Sequence, residues 1–162
     1  MFILILSTLI NYSFAKDHGN GIVINKKNYK NLSTSWHYSP KVIICHDSPY
    51  KKETIEKAIN IWSQEGVKIG SIHLENKNNK CNIKKGKEGY IQIMGYRGSY
   101  SKKDYHAFTF KRPYSNNKSK TYCKDIEFSP DVSDGRFNLL VHELGHAFGY
   151  DHYDKKFDIM NR

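Results

Sequence analysis

Several features are scarce in this sequence, and each scarcity excludes a class of protein. The three cysteines include no C-x-x-C pair, which excludes a four-cysteine zinc site. Four prolines and eleven glycines exclude a collagen-like or proline-rich chain. The one long apolar run lies at the N-terminus, which excludes a multi-pass membrane protein. Hydrophobic residues at 38% and aromatic residues at 14% predict instead a compact domain with a sizeable core.

The first fifteen residues have the features of a secretory signal peptide. Residues 2–10 form an apolar run that is too short to span a bilayer. Ser13 and Ala15 place small side chains where a signal peptidase cleaves, so we expect residues 1–15 to be removed. No Lys or Arg precedes the run, and a buried first strand is the alternative. A signal peptide predicts a secreted protein, extracellular or periplasmic, in which one cysteine pair can form a disulfide.

Positive charge is in clear excess over negative charge. The chain has 26 Lys and Arg against 16 Asp and Glu, a formal net charge of +10. Such an excess attracts acidic proteins, anionic surfaces or nucleic acid. No nucleic-acid-binding motif accompanies the charge, so we expect no specific nucleic-acid partner. We also expect a monomer without stable membrane insertion.

The order of apolar patterns predicts a mixed α/β (α+β) fold in one domain. Residues 16–36 are polar and predict a flexible N-terminal segment, followed by the domain at residues 37–162. Apolar residues at helical spacing predict one helix that stops at Gly66 and a second that runs from near Gly135 to Gly149. Short β-rich runs predict strands at residues 41–46, 67–74, 90–94, 106–110 and 125–128, with a loop at residues 116–120.

The residues that carry chemistry are concentrated in one segment. Residues 142–152 read HELGHAFGYDH, which fits the pattern H-E-x-x-H-x-x-G-x-x-H. His142 and His146 are four residues apart, so a helix places them on one face, roughly opposite its apolar stripe. Gly149 ends the helix and permits a sharp turn that can return His152 as a third ligand.

Glu143 completes the hydrolytic chemistry of this segment. Three imidazole ligands suit Zn²⁺ and leave one coordination position for water. Glu143 follows the first histidine, so its carboxylate can accept a proton from that water and later return it to a leaving group. A helix whose histidines are merely exposed is the alternative, and the five matched positions disfavour it.

The segment resembles the zinc-binding motif of the metzincin metalloproteases, and Met160 extends the resemblance. In the matrixin branch a methionine-containing turn lies eight residues after the third histidine, as Met160 lies after His152. The resemblance implies a twisted five-stranded mixed sheet with an antiparallel edge strand, packed on two helices, with zinc in the cleft. It also implies a zinc-dependent endopeptidase that acts on protein or peptide substrates, with Glu143 as its catalytic base.

Weaker likenesses cover more of the chain. KETIEKAINIWSQ is similar to the first long helix of the matrixin catalytic domain, and KDIEF to a parallel strand that follows the edge strand. HAFTF resembles the edge strand itself, to which a substrate peptide adds by β-augmentation. The resemblance therefore implies that the substrate-binding strand comprises His106, Ala107, Phe108, Thr109 and Phe110.

The expected metal content departs from that family. Matrixins usually carry a second, structural zinc held by three histidines and an aspartate. His106 matches one of those positions, but Glu127 stands where another histidine is expected, and residues 96–104 contain none. We therefore expect one zinc per chain. Asp131 matches a calcium-binding carboxylate of the family only loosely, so a solvated loop acid is favoured over a Ca²⁺ ligand.

The resemblance also implies a disulfide. Cys81 precedes the third strand and Cys123 begins the fifth, at the same end of neighbouring parallel strands. We therefore expect a bridge between Cys81 and Cys123, with Cys45 free.

A second function stays open beside the peptidase. Two residues follow Met160, whereas matrixins continue into a pocket wall and a third helix. This difference favours a catalytically weak zinc-binding protein that binds anionic envelope surfaces through its basic charge.

Overall fold

The three-dimensional structure is a computed structural model of the chain. It describes residues 16–17, 21–30, 35–36, 38–78, 80–82, 86–98, 105–114 and 117–161. The predicted signal peptide, residues 1–15, lies outside the described residues.

Eight strands and two α-helices make up the described part of the chain. In chain order the strands are β1 (Lys16–Asp17), β2 (Val23–Ile24), β3 (Ser35–Trp36), β4 (Lys41–Ile44), β5 (Ile72–Leu74), β6 (Tyr90–Gly95), β7 (Ala107–Tyr114) and β8 (Asn117–Phe128). The helices are α1 (Lys52–Gln64) and α2 (Phe137–Phe148), and a short 3₁₀ helix spans Lys26–Asn28. Neither α-helix is long and apolar enough to cross a membrane.

Five strands form a mixed sheet in the spatial order β5, β4, β6, β8, β7. Along this order β5, β4, β6 and β8 run parallel to one another. The last strand, β7, runs antiparallel to β8. The two-residue β3 also pairs in parallel with β8, while β1 and β2 form a separate ribbon. The mixed sheet, the antiparallel strand at its edge and the two helices confirm the predicted α+β class.

The two helices pack on each other and share one hydrophobic cluster with the sheet. α1 forms because Ile55, Ala58, Ile59 and Trp62 recur at helical spacing, and all four side chains are buried. The Trp62 indole Nε1 donates a hydrogen bond to the carbonyl oxygen of Val141 in α2, at 2.9 Å. This contact helps to hold α2, the helix that carries His142 and His146.

The helix α2 begins slightly later than predicted, at Phe137. Arg136 is its N-cap residue and makes no side-chain capping hydrogen bond. The Asp134 carboxylate, just before the helix, accepts the backbone N–H of Lys51 at 3.1 Å. The carboxylate therefore links the start of α1 to the start of α2.

The hairpin of β7 and β8 is longer than predicted. β7 continues through residues 111–114, and β8 begins at residue 117, so the predicted loop at residues 116–120 is wrong from residue 117 onward. Pairing between the two strands outweighs the local preference of the polar stretch for a loop. The strand predicted at residues 67–74 is in turn confined to Ile72–Leu74.

Residues 21–30 pack on the domain that was predicted to begin at residue 37. Ile22 and Ile24 are 1% and 2% exposed, and Tyr29 is 6% exposed. All three belong to the same hydrophobic cluster as Trp62. The packed domain therefore extends further toward the N-terminus than predicted, because these apolar side chains complete its core.

The predicted disulfide is wrong. Cys45 and Cys81 form the bridge, with their Cα atoms 5.9 Å apart, and Cys123 is a buried free thiol. Cys45 directly follows β4, and the loop after the neighbouring strand β5 brings Cys81 back to it, where Glu75 accepts the Cys81 N–H at 3.0 Å. Cys123 does not begin a strand but lies within β8, where its Sγ packs so closely on Gly86 that an added Cβ would overlap it.

Candidate metal and catalytic site

Three imidazole rings converge near the C-terminal end of α2. His142 and His146 project from the helix, and His152 follows it. One ring nitrogen of each histidine lies within 4.8 Å of the other two, and the ring centroids are 4.5 to 5.3 Å apart. The structure thus brings together the three residues that the motif predicts as ligands.

The turn after α2 brings the third histidine into place. Gly149 adopts a left-handed conformation with φ of 105°, which favours glycine. The backbone N–H groups of Gly149 and Tyr150 both donate to the carbonyl oxygen of Gly145. The chain therefore reverses within a few residues, and the Nε2 atoms of His146 and His152 lie 3.2 Å apart.

Backbone carbonyl groups orient two of the rings. Nδ1 of His142 lies 2.6 Å from the carbonyl oxygen of Ile159, and Nδ1 of His146 lies 2.8 Å from that of Tyr150. A carbonyl oxygen only accepts, so each Nδ1 carries the hydrogen and each Nε2 keeps its lone pair. Such second contacts commonly fix the tautomer of metal-binding histidines.

Two of the rings are also held in the neutral form that binds metals. Burial lowers the pKa of His142, against the opposing effect of its hydrogen bond to Ile159. Burial, and then the neighbouring charge of His142, lowers the pKa of His146 to about 4. The three imidazoles with their converging nitrogens fit Zn²⁺, which is bound by three histidines in some catalytic sites.

Glu143 lies beside the histidines and is 5% exposed. The Thr109 hydroxyl of β7 donates to its Oε2 at 2.5 Å. Burial raises the pKa of Glu143 to about 7, and the hydrogen bond from Thr109 partly opposes that rise. A buried, oriented carboxylate with a pKa near neutrality suits proton transfer to and from a reacting group.

Met160 packs against the helix that carries the histidines, and it is fully buried. Its Sδ lies so close to Gly145 that an added Cβ on that glycine would overlap it. The Tyr153 N–H donates to the Met160 carbonyl oxygen at 2.8 Å, which closes the loop after His152. The predicted Met-turn residue thus supports α2 between its two histidines.

The segment at residues 21–30 contacts this loop from the other side, a role that was not predicted from the sequence. The Tyr29 hydroxyl donates to the Asp158 carboxylate at 2.6 Å, and the same oxygen accepts the Met160 N–H at 2.9 Å. The Val23 carbonyl oxygen accepts the N–H of Ile159 at 2.8 Å. The apolar run at residues 22–24 is the signal in the sequence that could have indicated a buried strand here.

A cleft of about 530 Å³ opens between β7 and α2 and contains the three histidines and Glu143. Its wall includes Ala107, Phe108 and Thr109 of β7 and also His106, which was predicted as a strand residue but directly precedes β7. Phe110 is not part of this lining and packs against Phe108, with ring centroids 4.7 Å apart. His106 Nδ1 lies 3.0 Å from the Asp131 carboxylate on an exposed surface, outside the three-histidine cluster.

A larger groove of about 850 Å³ lies between α1 and the start of α2. It contains none of the three converging histidines and does not include Glu143. The smaller cleft is therefore the candidate site, because it holds the groups that can bind a metal and transfer a proton.

Lys124 of β8 also lines the cleft and is 2% exposed. Its Nζ donates to the carbonyl oxygen of His146 at 2.6 Å. Burial, and then the charge of Lys111, lowers the pKa of Lys124 to about 8. Lys124 was not predicted as a site residue, although it shares the strand face of the buried Ile126 and Phe128.

The comparisons with known proteins leave the family open: no protein-family model matches the chain, and no curated protein gives a significant match.

Proposed function

We propose that this chain is a secreted zinc-dependent endopeptidase of the metzincin type. The observation that supports it is the convergence of His142, His146 and His152 beside the buried carboxylate of Glu143. This combination is what metal-assisted peptide hydrolysis requires: three imidazole ligands and a separate base. The disulfide between Cys45 and Cys81 supports export to an oxidising compartment.

The residues of the cleft have separate roles in the proposed reaction. Bound Zn²⁺ would supply Lewis-acid activation of a water molecule and of the peptide carbonyl. Glu143 accepts a proton from the attacking water and donates it to the nitrogen of the leaving amine. Thr109 holds Oε2 of Glu143, so the carboxylate keeps one orientation during both transfers.

The substrate binds along β7. This strand is at the end of the sheet order, so its outer edge can pair with an extended peptide. The carboxylate of Glu143 accepts a hydrogen bond from Thr109 of β7. A peptide bound on this edge therefore lies close to the base and the three histidines. Main-chain pairing of this kind does not depend on the side chains of the substrate.

Digestion of an unbiased peptide library by the purified chain tests the proposal. We expect internal cleavages that stop when a chelator is added and resume when Zn²⁺ is restored. Chelator that is already saturated with zinc serves as the matched control and is expected to have no effect. Cleavage that persists in chelator contradicts the proposal. Absence of cleavage together with binding to anionic vesicles favours the envelope-binding alternative.

A further inference from the structure

Lys124 is a buried cation whose surroundings do not neutralise it. Its side chain is 2% exposed, and its ammonium group makes one hydrogen bond, to the carbonyl oxygen of His146. In the described part of the chain no carboxylate forms an ion pair with it. Lysine is rarely fully buried unless it is paired, because the lost hydration is costly. An ammonium group has three N–H donors, so the helix carbonyl accounts for only part of its bonding capacity.

Lys111 lies directly opposite Lys124 across β7 and β8. Residues that are register partners in an antiparallel pair point to the same face, and both lysines line the cleft. Like charges in directly opposite positions destabilise a sheet. The ammonium group of Lys124 is attracted to the C-terminal end of α2, and Lys111 adds a second positive charge to the same cleft.

The carboxylates of the cleft are already engaged elsewhere. Glu143 accepts the hydrogen bond of Thr109, and Asp151 accepts the N–H of His152 at 2.8 Å. Neither carboxylate forms an ion pair with Lys124 in the described structure. The cleft therefore keeps a positively charged, largely desolvated position beside its catalytic groups.

We infer that Lys124 and Lys111 form a subsite that binds the side-chain carboxylate of an aspartate or glutamate in the substrate. The inference rests on the proposed function, since it assigns a substrate preference to the same cleft. Lys111 lies two residues from Thr109 along β7, which corresponds to about 6.7 Å. The acidic residue therefore binds within two or three positions of the scissile bond, where a charge-assisted hydrogen bond replaces the lost hydration of Lys124.

Pairs of peptides that differ only in one acid test the subsite. In each pair one peptide has Asp or Glu, and the other has Asn or Gln in its place, at one of the three positions on either side of the scissile bond. We expect the acid to raise kcat/KM about tenfold or more at one position. Lys124→Met should reduce this ratio to about one, and Lys124→Arg should keep most of it because the positive charge remains. Lys68→Met, on an exposed lysine, is the matched control and should leave the ratio unchanged.

The outcomes separate the subsite from the peptidase activity. Cleavage of both members of every pair at equal rates by the wild-type chain overturns the subsite and leaves the proposed function intact. A preference that depends only on the C-terminal carboxylate of the peptide also overturns it. If no peptide is cleaved, the proposed function fails, and fluorescence anisotropy of the labelled acidic and amide peptides with the zinc-loaded chain decides the subsite. Tighter binding of the acidic peptide that Lys124→Met abolishes supports it, and equal binding refutes it.

Discussion

Gly145→Ala is the substitution for which the structure predicts an outcome opposite to that of helix propensity. In an ordinary helix interior this change stabilises a protein by about 1 kcal/mol. Here a Cβ on Gly145 would overlap Met160 Sδ and lie 2.7 Å from Trp62 Cζ2. Both neighbours are fully buried, so neither can move aside without displacing other core residues.

The net effect of Gly145→Ala on stability is the cost of overpacking the core minus the gain in helix propensity. Overpacking a core costs about 1–3 kcal/mol, and two contacts under 3 Å belong at the upper end of that range. Subtracting the gain in propensity leaves a destabilisation of about 2 kcal/mol, or a fall in Tm of about 6 °C for a chain of this size. Zinc affinity should fall as well, because Met160 follows Ile159, whose carbonyl oxygen orients His142.

Urea unfolding in chelator, followed by zinc titration, measures both effects. Gly135→Ala is the matched control, since the nearest atom to its added Cβ is Ser133 Oγ at an ordinary 3.7 Å. We expect the control to change the free energy of unfolding by less than about 0.5 kcal/mol. A Gly145→Ala variant that is as stable as the wild type, with unchanged zinc affinity, refutes the packing of Met160 on α2.

Three further predictions concern Thr109, Tyr29 and Cys123. Thr109→Val removes the hydrogen bond to Glu143, so kcat/KM should fall about 10- to 100-fold at unchanged zinc content, and Thr109→Ser should restore it. Unchanged activity of the valine variant contradicts this role. Tyr29→Phe removes a buried donor from Asp158, so the free energy of unfolding in urea should fall by about 1–3 kcal/mol. A loss of unfolding free energy under about 0.5 kcal/mol contradicts a stabilising role of the Tyr29–Asp158 hydrogen bond. Burial raises the pKa of the Cys123 thiol to about 12, so a chromogenic thiol reagent at about pH 8 should detect no thiol in the native chain and one after unfolding. Rapid reaction of the native chain is the contrary result.

The histidine cluster could be predicted from the sequence because its determinants are local. His142 and His146 share a helix face through their spacing alone, and Gly149 ends the helix where the chain must turn. His152 is only six residues from His146, so the turn leaves it few other positions. The expectation of a mixed sheet with an antiparallel edge strand came from the resemblance to the metzincins, because local patterns do not contain strand pairing.

Contacts between distant residues could not be predicted in the same way. Tyr29 and Asp158 are 129 residues apart, and no local pattern pairs them. The polar start of β8 looks like a loop until β7 pairs with it. Lys124 resembles a solvated surface lysine in the sequence, and its burial is understandable only once the His146 carbonyl oxygen lies beside it.

The central claim is that the histidines bind zinc while Glu143 acts on the reacting groups. Zinc content and peptide hydrolysis measured in parallel on three alanine variants test it most directly. Glu143→Ala should keep about one zinc per chain and lose at least about 100-fold in kcat/KM, because only the base is removed. His146→Ala should lose both zinc and activity, and His73→Ala, outside the cluster, should lose neither. Equal zinc loss in the Glu143 and His146 variants, or an active Glu143→Ala enzyme, would contradict the account.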